Sequence, residues 1–175
     1  MGIVTLWLVR KTEGLIRSAE KSSERQLRAY LSVSGMAFVE QDQHGTKFEV
    51  KTTIKNFGQT PAHDVRFRGR LEVLATNVIQ NFDFALVEIP TPEGVFLGPT
   101  QEKFYSNLLD RILPPLAVSD LLNPSGGHKA VIWGTVWYKD AFGRRRYTNF
   151  CRFVLWITAG TQPNWLDVNR HNDAD

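Results

Sequence analysis

Four histidines and one cysteine are the side chains best suited to hold a metal or attack a carbonyl in this 175-residue chain. His44, His63, His128 and His171 are scattered, and none lies within four residues of another or of Cys151, so no local zinc-type spacing exists. His63-Asp64 has the residue types of a metal-binding pair, but that chemistry needs further His and Asp on helices. Here the dipeptide opens a run of alternating polar and apolar residues, where neighbours point to opposite faces. A reactive cysteine needs an electropositive, partly open setting; Cys151, placed with Ile132 and Phe153, reads as a buried, inert thiol. No nucleophile elbow, phosphate-cradling loop or dinucleotide fingerprint occurs. Gly126-Gly127 lacks the Lys-Ser/Thr helix start that a phosphate loop requires. No catalytic residue, metal ligand or cofactor site is therefore expected, and a binding or structural module is the default. An unrecognised hydrolase would need a pocket converging on His63, Asp64 or Cys151.

Charge narrows the partners. The net +3 resides entirely in residues 1–30, with six basic and three acidic side chains; the rest carries fifteen of each. A nucleic-acid surface on the body would need a positive face, and the local candidate is Arg144-Arg145-Arg146, which reads as a solvated hairpin end. Nucleic acid is thus not an expected partner. With 42% hydrophobic and 22% charged residues the chain can fill one core, which excludes disorder. A single cysteine excludes an internal disulfide.

The elements that must position any surface fall into two parts. Residues 1–28 form an N-terminal helix, expected from about residue 3. Met1–Val9 is apolar apart from Thr5 and stops at Arg10-Lys11. The following stretch is rich in helix formers, with Glu13/Arg17 and Glu24/Arg28 paired at i,i+4 and a like-charge stripe at Arg17, Lys21 and Arg25. Nine apolar residues cover only ~14 Å of helix, short of ~30 Å of hydrocarbon. Two readings stay open: a helix docked on the domain, or the end of a membrane span with Trp7, Arg10 and Lys11 at the interface.

From Ala29 to about residue 160 the period is two. Strands are expected over 30–39, 47–56 and 62–74, with turn chemistry at Asn56-Phe57-Gly58-Gln59-Thr60-Pro61. Six of the eight prolines lie between Ala75 and Gly127, which argues for loops and short edge strands, with one helical turn at Ser119–Leu122. Residues 81–87 read as a strand or a helical turn. The best hairpin pairs 129–140 with 145–158 about a turn at Ala141–Arg144. An even turn would put Ala130, Ile132, Gly134 and Val136 on a face with Tyr147, Asn149, Cys151, Phe153 and Leu155. The opposite face would join Trp133, Trp137, Arg152 and Trp156, the candidate interaction surface, with Arg152 stacked on an indole. Both faces are apolar, so these strands should be central and covered on both sides. Residues 161–175 read as a C-terminal tail with a solvated end at Asn172–Asp175. The pattern points to a mainly β fold, an antiparallel two-sheet immunoglobulin-like sandwich preceded by one N-terminal α-helix.

The run Val50–Val65, then Trp133–Gly143 and Arg146–Cys151, resembles a family of short uncharacterised bacterial membrane-anchored proteins. Gln26-Leu27-Arg28-Ala29-Tyr30 is similar to the point where that family's charged helical linker meets its β-sandwich. The resemblance implies one N-terminal transmembrane helix and an Ig-like sandwich, and it supplies no catalytic residues to carry over. The expectation is a non-enzymatic module tethered at the bacterial inner membrane, its sandwich cytoplasmic, presenting a surface to an unidentified protein. The alternative is a soluble cytoplasmic module whose N-terminal helix covers the Trp133/Trp137/Trp156 face.

Overall fold

The computed structural model describes residues 2–39, 47–84, 93–155 and 163–175, with side chains from residue 11 to 36 and from residue 47 onward within those ranges. Helix α1 (Gly2–Leu27) leads into β1 (Leu31–Val39), β2 (Glu49–Asn56) and β3 (Ala62–Ala75). A single turn α2 (Thr76–Ile79), β4 (Val95–Leu97), β5 (Glu102–Leu108) and α3 (Pro115–Leu122) follow. The chain closes with β6 (His128–Lys139), β7 (Arg145–Leu155) and β8 (Asn164–Asp167). The fold is mainly β: a three-stranded sheet β1-β2-β5 faces a five-stranded sheet β4-β3-β6-β7-β8, and all pairings are antiparallel.

Alternation explains the core. In β2, Val50, Thr52, Ile54 and Asn56 are buried while Lys51 is exposed, as period two requires. Leu31, Val50 and Ile54 of the small sheet meet Leu71, Ile132, Val136 and Val154 of the large one. The two layers are joined by a ring stack: Phe67 lies 4.4 Å from Tyr105 and 5.9 Å from Phe150, centroid to centroid. Space for it comes from two glycines directly opposed in register, Gly69 and Gly134. A methyl group on Gly69 would come within 2.7 Å of Phe67 Cζ, and one on Gly134 equally close to the Phe150 ring.

Strand β6 is apolar on both faces and is covered on both, as its pattern predicts. On its outer face Val131 and Trp133, with Cys151 of β7, form a second core under Leu74, Ile79, Phe84 and Val168. The coat is therefore α2 with the irregular stretch after it, and the segment following β8. Among the described side chains α1 contributes none to it: every one from residue 11 to 23 is exposed. Over Trp133 the cover that the expectation gave to the helix comes from Phe84, Ile79 and Val168.

The Asn56 turn is a clamp. Asn56, buried, accepts N–H groups from Gly58 at 2.9 Å and Tyr30 at 3.3 Å, and donates to the carbonyls of Thr60 and Leu97 at 2.9 and 3.1 Å. Any side chain on Gly58 would strike the backbone of Arg28–Tyr30. The turn thus locks the exit of α1 to the sheets.

Three local expectations change. Helix α3 has two turns, not one, because Pro115 sits at its first position, where a fixed φ and a missing N–H cost nothing. Residues 82–84 have no regular structure, and 85–87 lie outside the described residues. Of the stretch 161–175, the described residues 163–175 are no detached tail: β8 pairs with β7, and Asn149 N–H donates to the Asp173 carbonyl at 2.8 Å.

Candidate functional site

The register of the β6–β7 hairpin decides which side chains share a surface. Lys139 pairs with Arg145, so the loop Asp140–Arg144 has five residues, an odd number. The extra residue is Gly143, held at φ +76, a conformation open to glycine and poor for other residues. Asp140 Oδ1 accepts the N–H groups of Phe142 at 3.0 Å and Arg144 at 2.9 Å, which fixes the loop. One residue more reverses the even-turn assignment of faces. Trp133 and Trp137 now stand with Cys151 and Tyr147, and Arg152 stands opposite Ile132 on the other side.

The predicted surface is correspondingly rearranged. Trp133 is 1% exposed and belongs to the outer core, with Phe82 and Phe84 edge-on at 5.5 and 5.6 Å. Trp137 is half-buried. Among the described residues Arg152 has no indole contact; its Nε donates to Asp167 Oδ1 at 2.8 Å. Trp156 lies outside the described residues. The expected guanidinium–indole contact comes instead from Arg70, whose guanidinium lies 5.9 Å from the Trp133 ring. Arg70 is the direct cross-strand partner of Trp133, so both side chains leave the same face.

That pairing repeats along β3. Arg66 is opposite Trp137, Arg68 opposite Thr135 and Arg70 opposite Trp133. Three arginines at i, i+2, i+4 thus line one face beside Trp137, and Tyr147 is the partner of Trp137 on the other flank. Arg66 Nε donates to Asp64 Oδ1 at 2.9 Å, and Arg70 is paired with Glu72. Among the described residues Arg68 has no carboxylate partner. The ladder was legible as spacing; its alignment with aromatic rings needs the register.

A second positive region forms where α1 meets the hairpin loop. Lys21, Arg25 and Arg28 of the helix exit and Arg144 and Arg146 of the hairpin line a hollow of about 330 Å³ with Glu24 and Asp175. Five cations face two carboxylates, a net of +3. Arg144 Nη2 donates to Glu24 Oε2 at 2.6 Å, and Arg146 bridges buried Asp140 and Asp175 at 3.1 and 3.0 Å. Read separately in the sequence as a helix stripe and a solvated hairpin end, these groups share one corner.

The catalytic candidates stay apart. His63 lies edge-on to Phe96 at 5.3 Å, and Asp64, at a bulge with φ 51, holds Arg66 and Lys139. Its hydrogen bond to Arg66 lowers the Asp64 carboxyl below its ordinary value. Cys151 is on β7, across β6 from Arg70, and His63 is seven residues from Arg70 along β3, roughly 20 Å at strand rise. Burial, with Asp167 adding to it, pushes the Cys151 thiol up to about 12. His128 Nδ1 is 2.7 Å from Asp120 Oδ2 at the surface. Burial lowers His171, and His44 lies outside the described residues. Among the described residues no three His, Cys, Asp or Glu side chains gather as a metal site.

At the membrane end, Trp7 and Arg10 fall in helical backbone, and Lys11 is exposed. Among the described residues no helix is long and apolar enough to cross a membrane. A family model described as a domain of unknown function (DUF8453) matches residues 1–156. No curated protein and no solved structure matches the chain.

Proposed function

The chain belongs to the DUF8453 family, and from that footing we propose that it is a non-enzymatic Ig-like module tethered at a bacterial inner membrane, its sandwich cytoplasmic, offering a face to a protein partner. The strand order supports the Ig-like part. Strands β1-β2-β5 correspond to A-B-E and β3-β6-β7 to C-F-G, with β4 beside the C position and β8 added after G. The carrying observation for a protein face is the ladder Arg66-Arg68-Arg70 aligned with Trp137 and Tyr147. Arginine, tryptophan and tyrosine are the residues that dominate binding energy at protein interfaces, because each offers large contact area together with a polar handle. The tether rests on the apolar first nine residues, the Arg10-Lys11 flank and a helix whose side chains from residue 11 to 23 are exposed.

A photo-crosslinking side chain placed at Arg68 or Tyr147 in cells should give one discrete protein adduct, and one placed at Lys103 on β5 should not. A smear, or the same adduct from both faces, sinks the assigned surface. Fractionation of the natural gene product tests the tether: recovery wholly outside the membrane fraction refutes it. The second reading is a soluble β-sandwich binding module with no membrane contact. It is favoured by the absence, among the described residues, of a helix able to cross a bilayer.

A further inference from the structure

We infer that the corner between the end of α1 and the β6–β7 loop is a docking site for an extended acidic segment of a partner protein, distinct from the arginine–aromatic face. The hollow already displays the chemistry it takes. Glu24 and Asp175 occupy Arg144 and Arg146 at 2.6 and 3.0 Å, while Lys21, Arg25 and Arg28 in the same hollow have no carboxylate within 4 Å among the described residues.

The chain's own segment 173–175 shows the fitting conformation. It lies along β7, with Asn149 N–H to the Asp173 carbonyl at 2.8 Å and Asp175 N–H to the Tyr147 carbonyl at 3.2 Å. Asp175 reaches Arg146 on the corner side of β7, while Asp173 reaches Tyr147 Oη and Asn149 Nδ2 at 3.1 and 3.0 Å on its other face. A partner segment carrying carboxylates would meet the remaining cations of the corner as Asp175 meets Arg146. Guanidinium pairs with carboxylate through charge-assisted, directional bonds, so several together select an acidic strand over a neutral one.

Distance argues against lipid headgroups. Arg25 is sixteen residues beyond Val9, about 24 Å along an α-helix. A helix upright on the membrane holds the corner further off than the ~8 Å over which charges act in physiological salt.

The test titrates the whole chain with a peptide of alternating aspartate and serine, its asparagine–serine counterpart, and phosphatidylglycerol-rich vesicles. The acidic peptide should bind, weaken steeply with salt, and lose about tenfold or more in affinity in Lys21→Glu/Arg25→Glu. Both side chains are exposed on α1, so an unchanged melting curve confirms the fold of that variant. Lys103→Glu, a charge reversal on β5, should leave peptide binding intact. Equal binding of both peptides overturns the inference, as does an equal loss in Lys103→Glu. So does vesicle binding that Lys21→Glu/Arg25→Glu abolishes while the acidic peptide fails to bind. Peptide binding needs no membrane, so failure of the tether leaves the corner standing, and the reverse also holds.

Discussion

Asp140 grips Arg146 from inside the protein: the Asp140 side chain is fully buried and its Oδ2 lies 3.1 Å from Arg146 Nε. The same carboxylate caps the hairpin loop through Oδ1. It thus sets the loop length and anchors one wall of the basic corner. Asp140→Ala would leave Arg146 with Asp175 alone and two loop N–H groups unmet. A loss of about 3–5 kcal/mol is expected in urea unfolding, and Asp140→Asn, which keeps an oxygen for the loop, should lose less.

The facing glycines make a second prediction. Gly134→Ala would drive its methyl group into the Arg68 carbonyl and the Phe150 ring, with neighbouring backbone unable to yield cheaply. The expected cost is about 1–3 kcal/mol. Phe150→Leu combined with Gly134→Ala should recover part of it, because the smaller side chain vacates the crowded space. A double variant as unstable as the sum of the singles would refute the steric account.

Cys151 is predicted to be chemically silent. With its thiol pushed up to about 12 by burial, almost none is thiolate at pH 8, and the outer core bars reagents. Labelling by a disulfide reagent should be slow in the native protein and track unfolding in denaturant. Fast labelling of folded protein would contradict the packing around Trp133.

The pH dependence of stability should show two separate windows. Burial holds His171 below its ordinary 6.5, with Asp173 and the Gly134 backbone pulling the other way. The unfolded chain therefore takes up the proton first. Stability is full above about pH 6.5 and falls as pH drops from there toward the lower folded value. His171→Gln should remove that slope. Asp64 and Asp120 are depressed chiefly by hydrogen bonds to Arg66 and His128. Their contribution is present above the ordinary carboxylate range and is lost only as pH falls below about 4. A melting temperature flat from pH 7.5 to about 5 in the wild-type chain would refute the His171 part.

Strand positions were readable because alternation is local: Val50, Thr52 and Ile54 are buried as their spacing demands. The central place of β6 followed from apolar residues on both faces. Hairpin register was not readable, since it turns on whether Gly143 adds a residue to the loop, and parity converts that one residue into exchanged faces. The grouping of Trp133 with Arg152 changed for the same reason: Trp133 is buried in the outer core and Arg152 leaves the other face of the same sheet, while Arg70, 63 residues away from Trp133 in sequence, lies over the indole. The basic corner was beyond local reading altogether, because Glu24 and Arg144 are 120 residues apart. The Asn56–Pro61 turn, one of the runs that carry the family resemblance, owes its residue types to clamping the helix exit rather than to chemistry.

The coat over Trp133 has a practical corollary for anyone trimming this molecule. Val168 fills the outer layer, and Asn172 grips the Cys151 backbone on both its N–H and its carbonyl at 2.8 and 3.1 Å. A shortened version stopping just past Leu155 would keep every long strand yet unroof the indole. Such a fragment should clump in solution, and its stickiness would be an artefact of the cut instead of a binding property of the native protein.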